Sequence, residues 1–357
     1  MQSTWPSQDI FHRTFVDWAN KVMEMSGGRL KIEVLPSGAV VPAFQLLDAV
    51  HQGTLDGGHG VTVYWYGKNV AASLFGTGPS FGLDAEALLA WMYYGGGQEL
   101  YKEFIQEILK FDVVAFAYGP MPTQPFGWFK TEVTKPDDLK GKKFRTVGLS
   151  ADLYKKMGAS VVILPGGEII SALDRGVIDA AEFNNPSSDR LLGFPDVRKV
   201  LMAQSYHQPT EFFELTFNKK KYESLPKDLQ AIIKYAAMAE SADFTWKMID
   251  RNSKDLEEMK AIKGVKVFRT PKSVLQAQLN AWDEIIAEKL NDPFSRKVLA
   301  SQKAWAARVG ALRLDIMVEN ETAYNHYFKA KPAAAPAAKP ASPAAKPAAP
   351  AAPGEKK

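Results

Sequence analysis

Apolar residues fall at three- and four-residue spacing over residues 8 to 26, placing Phe11, Phe15, Trp18, Val22 and Met25 on one face. This pattern predicts an amphipathic helix, and Gly27 and Gly28 supply its stop. Leu30, Ile32 and Val34 then alternate with Lys31 and Glu33, the period of a strand with one polar face. A helix carrying Phe44, Leu47 and Val50 follows and ends at Gly53, leading into a short strand near His59. Further along, the pattern predicts helices over 84–94 and 97–110 and an apolar strand over 113–118. Residues 119–126 hold three prolines and read as a crossover loop, with strand-like residues resuming at Phe126. Strands are expected to end at Arg145 and near Phe183, and others to cover 199–205 and 212–217. Helices are expected over 226–260, 273–290 and 293–329.

Two stretches share one grammar. Leu35, Pro36 and Gly38 precede a helix that stops at Gly53 before Leu55 and Asp56. Leu164, Pro165, Gly166 and Gly167 precede a helix that stops at Gly176 before Ile178 and Asp179. Each reads as strand, glycine turn, helix, glycine stop and strand, the pattern of a right-handed parallel crossover. Copies about 125 residues apart suggest one unit in each of two α/β lobes rather than a short-period solenoid.

Composition narrows the function. No apolar run approaches the roughly 20 residues that span a bilayer. The formal charge is +4, and the segment after Ala330 carries five lysines against one glutamate, so residues 1 to 330 are formally neutral. A neutral body lacks the clustered cations of a nucleic-acid groove. Cysteine is absent, which removes disulfides, thiol nucleophiles and zinc-thiolate sites. No apolar leader follows Met1, so the chain reads either as cytosolic or as lacking its leader. Residues 331–357 repeat proline and alanine with spaced lysines, the composition of a solvated tether.

The chemistry concentrates between Gly141 and Asp189. Arg145 closes one strand, where a guanidinium can hold a carboxylate through two parallel hydrogen bonds. A structural salt bridge is the alternative. Glu182 closes another strand, and a buried carboxylate there needs an arginine or a metal ion beside it. Asn184, Asn185 and Asp189 add oxygens, a set suited to Na⁺, Ca²⁺ or Mg²⁺ rather than zinc. The plainer alternative is a strand-to-helix turn in which Asn185 or Ser187 caps the helix after Pro186. Tyr64, Trp65 and Tyr66 line either a cleft or the core. The five histidines lack paired-ligand spacing, and neither a nucleophile elbow nor a phosphate-binding loop is present.

Leu139 to Arg145, Leu164 to Glu168, Gly176 to Glu182 and Tyr93 to Gly97 together resemble the substrate-binding proteins of TRAP (tripartite ATP-independent periplasmic) transporters, over about residues 4 to 325. The stretch from Tyr93 to Gly97, with Glu182, is similar to the subgroup that binds 2-oxo and 2-hydroxy acids with a metal ion. The resemblance implies an α/β, two-lobed periplasmic-binding-protein-like fold with hinge crossovers and a long C-terminal helix. It implies lobe I at 1–123 plus 212–250, lobe II at 124–211 plus 251–292, a C-terminal helical segment at 293–330 and the tail at 331–357. A periplasmic receptor is expected, passing a carboxylate to membrane permease subunits, with Na⁺ or Ca²⁺ and no organic cofactor.

The resemblance also assigns residues. Arg145, Gln124, Phe183, Asn185, Tyr66 and Trp5 are expected at the substrate, with Arg145 on its carboxylate. Glu182, the main chain of Phe183, Gln124 and Glu211 are expected at the metal. The subgroup usually has tryptophan followed by Val-Gly-Pro after the acidic residue, whereas this chain has Phe183, Asn184, Asn185 and Pro186. A phenyl in place of an indole implies a larger pocket and a longer or aromatic acid. The first strand of the family is also expected to be missing, as in a truncated chain or one with a misplaced start. The resemblance also implies a homodimer through the C-terminal helix, as related keto-acid receptors can exchange such a helix; Trp305, Val309, Leu312 and Ile316 form an apolar stripe there, and the alternative is that the stripe packs on its own subunit. Two other readings remain: a metal-dependent lyase or hydrolase on the same scaffold, and a ligand sensor for a membrane receptor.

Overall fold

The structure is a computed structural model that describes residues 1–329. The tail predicted at 331–357 lies outside the described residues. The chain divides into two compact units, Met1–Ala311 and a second one beginning at Leu312.

In the first unit, ten strands among the described residues form two sheets. In chain order they are β1 (Gln2–Ser3), β2 (Gly57–Gly60), β3 (Val113–Pro120), β4 (Gly127–Phe129), β5 (Lys143–Arg145), β6 (Ser160–Val162), β7 (Ala180–Ala181), β8 (Val200–Met202), β9 (Phe212–Asn218) and β10 (Lys266–Phe268). One sheet has the order β1-β2-β9-β3 and the other β10-β8-β4-β7-β5-β6. Helices cover the sheets, which makes this the α/β architecture that the sequence pattern and the resemblance imply.

The paired units occupy equivalent places. In the second sheet, β6 leads through the helix Ile169–Asp174 to β7, and β5 lies between them, parallel to both. In the first, Leu35 bridges Gln2 in parallel, the helix Leu46–His51 follows, and β2 pairs with the other edge of β1. Each crossover therefore skips one strand.

The segment predicted as a strand at 30–34 differs. It runs beside β1 with few backbone bonds, Leu35 N to Met1 O at 2.9 Å and Ser3 N to Leu35 O at 2.8 Å. Only Leu35 pairs, so alternation there marks an extended edge rather than a ladder. The first strand expected to be missing is present in short form, as Gln2 and Ser3 pair with Gly58 and His59.

The chain passes between the sheets at residues 121–126, from β3 to β4, and at 203–211, from β8 to β9. These crossings hold each other. Met121 N donates to Glu211 O at 3.0 Å, Gln124 N to Gln208 O at 3.3 Å and Thr123 Oγ1 to Pro209 O at 3.1 Å. A third passage is the unbroken helix Lys227–Ala261, which runs from β9 toward β10. It packs against β3, the helix Ile10–Met25 and the helix Pro186–Leu192.

The predicted helix over 293–329 is two helices, Pro293–Ile316 and Asn320–Phe328. The first half of its apolar stripe is used within the chain. Trp305 Nε1 donates to Ala87 O at 3.1 Å, and Val309 packs near Leu83 and Ala306. Leu312 and Ile316 are exposed.

Candidate functional site

β5 and β7 lie side by side, with Arg145 opposite Ala181, so Arg145 and the residue just after β7, Glu182, stand at the same end of the sheet. Arg145 is 1% exposed and bonded to the end of the sheet through two of its three nitrogens. Its Nε donates to Leu164 O at 2.8 Å, and its Nη1 donates to Glu182 O at 3.2 Å and to Glu182 Oε1 at 3.0 Å. The guanidinium also lies 5.7 Å from the centre of the Phe183 ring. The two readings of Arg145 thus meet in one residue, since the arginine that points into the cavity is also half of a buried salt bridge. Glu182 has the partner its burial demanded.

Around this pair closes a cavity of about 20 Å³, lined by Trp5, Gln124, Arg145, Glu182, Phe183, Asn184 and Gln208, with Tyr64, Met121 and three valines completing the wall. That is room for about one water. Larger grooves exist, such as one of about 820 Å³ between helices Ile10–Met25 and Lys227–Ala261, but they lie at the solvated surface.

The crossings deliver amides to the cavity. Gln124 comes from the first and Gln208 from the second, and the side-chain oxygen Oε1 of each is buried without a hydrogen-bond partner. Gln208 Nε2 donates to Glu211 Oε2 at 3.3 Å, so its oxygen is the end left for the cavity. Glu211, expected as a metal ligand, does not line the cavity and instead anchors Gln208. Its carboxylate also accepts from Phe212 N at 3.1 Å, and burial drives its pKa well above the usual value. A Cβ on Gly76 would lie 2.2 Å from Glu211 Oε1, so the missing side chain makes room for that carboxylate.

His207 brings a further polar atom. Its Nδ1 is 2.6 Å from Ser205 Oγ, and its Nε2 lies 3.9 Å from Glu182 Oε2 with no hydrogen-bond partner.

Asn184 opens the other side. Its amide donates to Asp189 Oδ1 at 3.2 Å and its Nδ2 to Ser188 Oγ at 3.1 Å, and that hydroxyl reaches Asp9 at 3.1 Å. Asp189 also accepts from Trp128 Nε1 at 2.7 Å. Burial pushes Asp9 and Asp189 up to about 7 each, against hydrogen bonds that hold them down.

Two expected substrate residues lie elsewhere. Asn185 caps the helix Pro186–Leu192, accepting from Ser187 N at 3.1 Å and Ser188 N at 3.0 Å, as the plainer reading had it. Tyr66 donates to Asp152 Oδ2 at 2.6 Å and lines a neighbouring cavity. The extra room expected from Phe183 is not beside it. Its ring stacks 5.9 Å from Phe194 and covers Gly166, where a Cβ would come within 2.4 Å of the ring. Asn184, read among the extra oxygens, and Tyr64, read as a cleft or core aromatic, both line the cavity, whereas Gln208 entered no expectation, because nothing in its local spacing separates it from other crossing-loop residues.

Among the described residues no group of three or more histidine, cysteine, aspartate or glutamate side chains could hold a metal ion. The donors that do converge are oxygens: one carboxylate from Glu182 and the two unpaired amide oxygens of Gln124 and Gln208. That chemistry fits a hard cation such as Na⁺ or Ca²⁺, not zinc. No helix among the described residues is long and apolar enough to cross a membrane.

Known proteins are similar to this chain in sequence and in fold. The monocarboxylate 2-oxoacid-binding periplasmic protein of Nostoc is 34% identical over 316 residues, covering 87% of this chain and 84% of that protein. A TRAP periplasmic solute-binding protein of Colwellia psychrerythraea, solved with calcium and pyruvate, superposes with a TM-score of 0.83 at 33% identity, covering 92% of this chain and 98% of its own. Its counterpart from Pseudoalteromonas atlantica, solved with sodium and pyruvate, gives 0.81 at 32%, with the same coverage. Residues 1–292 match the family model DctP, bacterial extracellular solute-binding protein, family 7; the chain belongs to that family of binding receptors, which are not enzymes.

Proposed function

We propose that this protein is the periplasmic receptor of a TRAP transporter, capturing a 2-oxo or 2-hydroxy monocarboxylate together with Na⁺ or Ca²⁺ and passing it to membrane permease subunits. The observation that carries this reading is the meeting of Arg145 and Glu182 with the unpaired oxygens of Gln124 and Gln208 in one buried cavity. Arg145 spends Nε and Nη1 on the protein and offers its remaining nitrogen to the ligand's carboxylate. Trp5 and Phe183 supply apolar walls that exclude water and strengthen that contact. Glu182, Gln124, Gln208 and the main chain of Phe183 would hold the cation, which when bound attracts the ligand's 2-oxygen. Relatives solved with pyruvate and calcium or sodium support the pairing of a monocarboxylate with a cation.

The two sheets support lobes made of 1–123 with 212–250 and of 124–211 with 251–292, closing about the three passages between them. Isothermal titration of the protein with pyruvate, with and without Na⁺ or Ca²⁺, tests the reading. Binding that needs the cation and disappears in Arg145→Ala supports it; binding indifferent to Arg145 overturns it.

A homodimer through the C-terminal segment is the second part of the proposal. In the unit beginning at Leu312, Leu314, Ile316, Val318, Tyr327 and Phe328 are each more than two-thirds exposed, a density of bare apolar residues that suits burial against a second copy. Light scattering of a chain ending at Ala311 against the full chain tests it: the shorter chain is expected at its monomer mass and the full chain at twice its own monomer mass.

A further inference from the structure

The cavity around Arg145 has a second room behind one wall. Val63, Tyr64 and Val147 line both it and a cavity of about 410 Å³ whose other walls include Phe44, Gly148 and Ile163. Tyr64 is the partition. Its ring lies 6.4 Å from Trp5 of the inner cavity and packs edge-on to Phe44 of the outer one, at 4.8 Å. The two rooms differ in chemistry. The inner one gathers Arg145, Glu182, Gln124, Gln208 and Asn184, whereas the wall it shares with the outer one is two valines and a phenol ring. Lys68 also lines the outer room, but it is tied to Asp48 at 2.6 Å.

Size and polarity together set a direction. An inner cavity of about 20 Å³ holds a carboxylate and a 2-oxygen only by opening, and it leaves nothing for a longer chain. An acid whose head is fixed at Arg145 extends most directly past the wall of Val63, Tyr64 and Val147, because the inner cavity shares those three residues with the outer room and only Met121 with a groove of about 380 Å³ on another side. We propose, building on the receptor reading above, that Tyr64 is a gate between a head-group cavity and a side-chain pocket, and that the preferred ligands are 2-oxo or 2-hydroxy acids with an apolar, branched or aromatic chain. A second carboxylate on that chain would meet aromatic rings and a lysine already paired, so dicarboxylates are disfavoured. The room that the sequence attributed to Phe183 is found here instead.

Titration calorimetry of the full chain with pyruvate, 2-oxobutanoate, 4-methyl-2-oxopentanoate and phenylpyruvate tests this, using two variants that fill the outer pocket. Ile163 is 47% exposed, and a Cβ on Gly67 meets no atom within 4 Å, so Ile163→Trp and Gly67→Phe add bulk without disturbing the core. In the unchanged protein affinity is expected to rise roughly fourfold per buried methylene. Both variants are expected to abolish that rise and leave pyruvate binding unchanged. An affinity that is flat or falls with chain length, or a rise that survives both variants, overturns the side-chain pocket. Failure of the receptor reading is separate: it appears as pyruvate binding that is insensitive to Arg145→Ala.

Discussion

Arg145 Nη1 donates to both the main-chain and the side-chain oxygen of Glu182, at 3.2 and 3.0 Å, and neither residue is more than 1% exposed. The pair does two jobs that pull in different directions. It neutralises a carboxylate that cannot be left alone in the interior, and it fixes a guanidinium where a ligand's carboxylate would arrive. Removing either partner therefore affects folding as well as binding.

Arg145→Ala is expected to cost about 3–5 kcal/mol of stability, because it strands a buried charge. Glu182→Gln is expected to cost less, since the amide can still accept from Nη1, yet it removes the carboxylate proposed for the cation. Denaturant unfolding and ligand titration on both variants check this. The expected result is a large stability loss for Arg145→Ala, and for Glu182→Gln a smaller one together with a ligand affinity no longer dependent on Na⁺ or Ca²⁺.

Gln208 is expected to matter more for the cation than Glu211. Gln208→Leu removes the cavity-facing oxygen and leaves Glu211 without its amide donor. Glu211→Gln keeps a side chain of the same shape and releases a carboxylate whose pKa burial already raises. Titrating the ligand over a range of Na⁺ and Ca²⁺ concentrations should show the cation dependence weakened at least tenfold by Gln208→Leu and by less in Glu211→Gln. The opposite order would return Glu211 to the role the resemblance gave it.

The folded protein should lose stability as the pH rises from about 4 to 7. Asp9 and Asp189 titrate near 3.8 when unfolded and at about 7 when folded, because burial disfavours their charged forms. The native state therefore holds protons in that window that the unfolded chain releases. Stabilisation from this source is complete below pH 4 and is lost as pH passes 7, on the order of 4 kcal/mol per group. Asp9→Asn keeps the cap on Phe11 N and can donate to Ser188 Oγ, so it should flatten the slope of melting temperature against pH without abolishing folding.

How much of this was legible in the chain depended on whether a residue's role was local. The helix over 8–26, the paired crossovers at Gly53 and Gly176 and the crossing at 119–126 follow from periodicity and glycine placement, which are local properties. Arg145 and Glu182 could be noticed because polar residues close apolar strands. Gln208 could not. Its significance comes from Glu211 beside it and Gln124 across the crossing, a relation that exists only once two segments more than 80 residues apart lie together. The misreading of 30–34 has a similar cause, because alternation reports one polar face and not the presence of a bonded neighbour. The C-terminal break at 317–319 interrupts a segment rich in helix formers, and the structure offers no local reason for it.

Gly76 offers a test of how tightly the crossing is packed. Its missing side chain leaves the space taken by the Glu211 carboxylate, whose two oxygens would lie 2.2 and 2.3 Å from an added Cβ. The obstruction is a buried carboxylate held by Phe212 N and Gln208 Nε2, while Thr210 Oγ1 donates to Gly76 O at 2.7 Å, so neither side yields easily. Gly76→Ala should destabilise by about 1–3 kcal/mol as an overpacking change and should also loosen Gln208. Shortening the obstruction in Gly76→Ala/Glu211→Ala removes the clash, so the double variant should be more stable than the sum of the two single losses predicts. Melting temperatures for the four proteins check the cycle. Strict additivity would mean that the two residues do not compete for the same space.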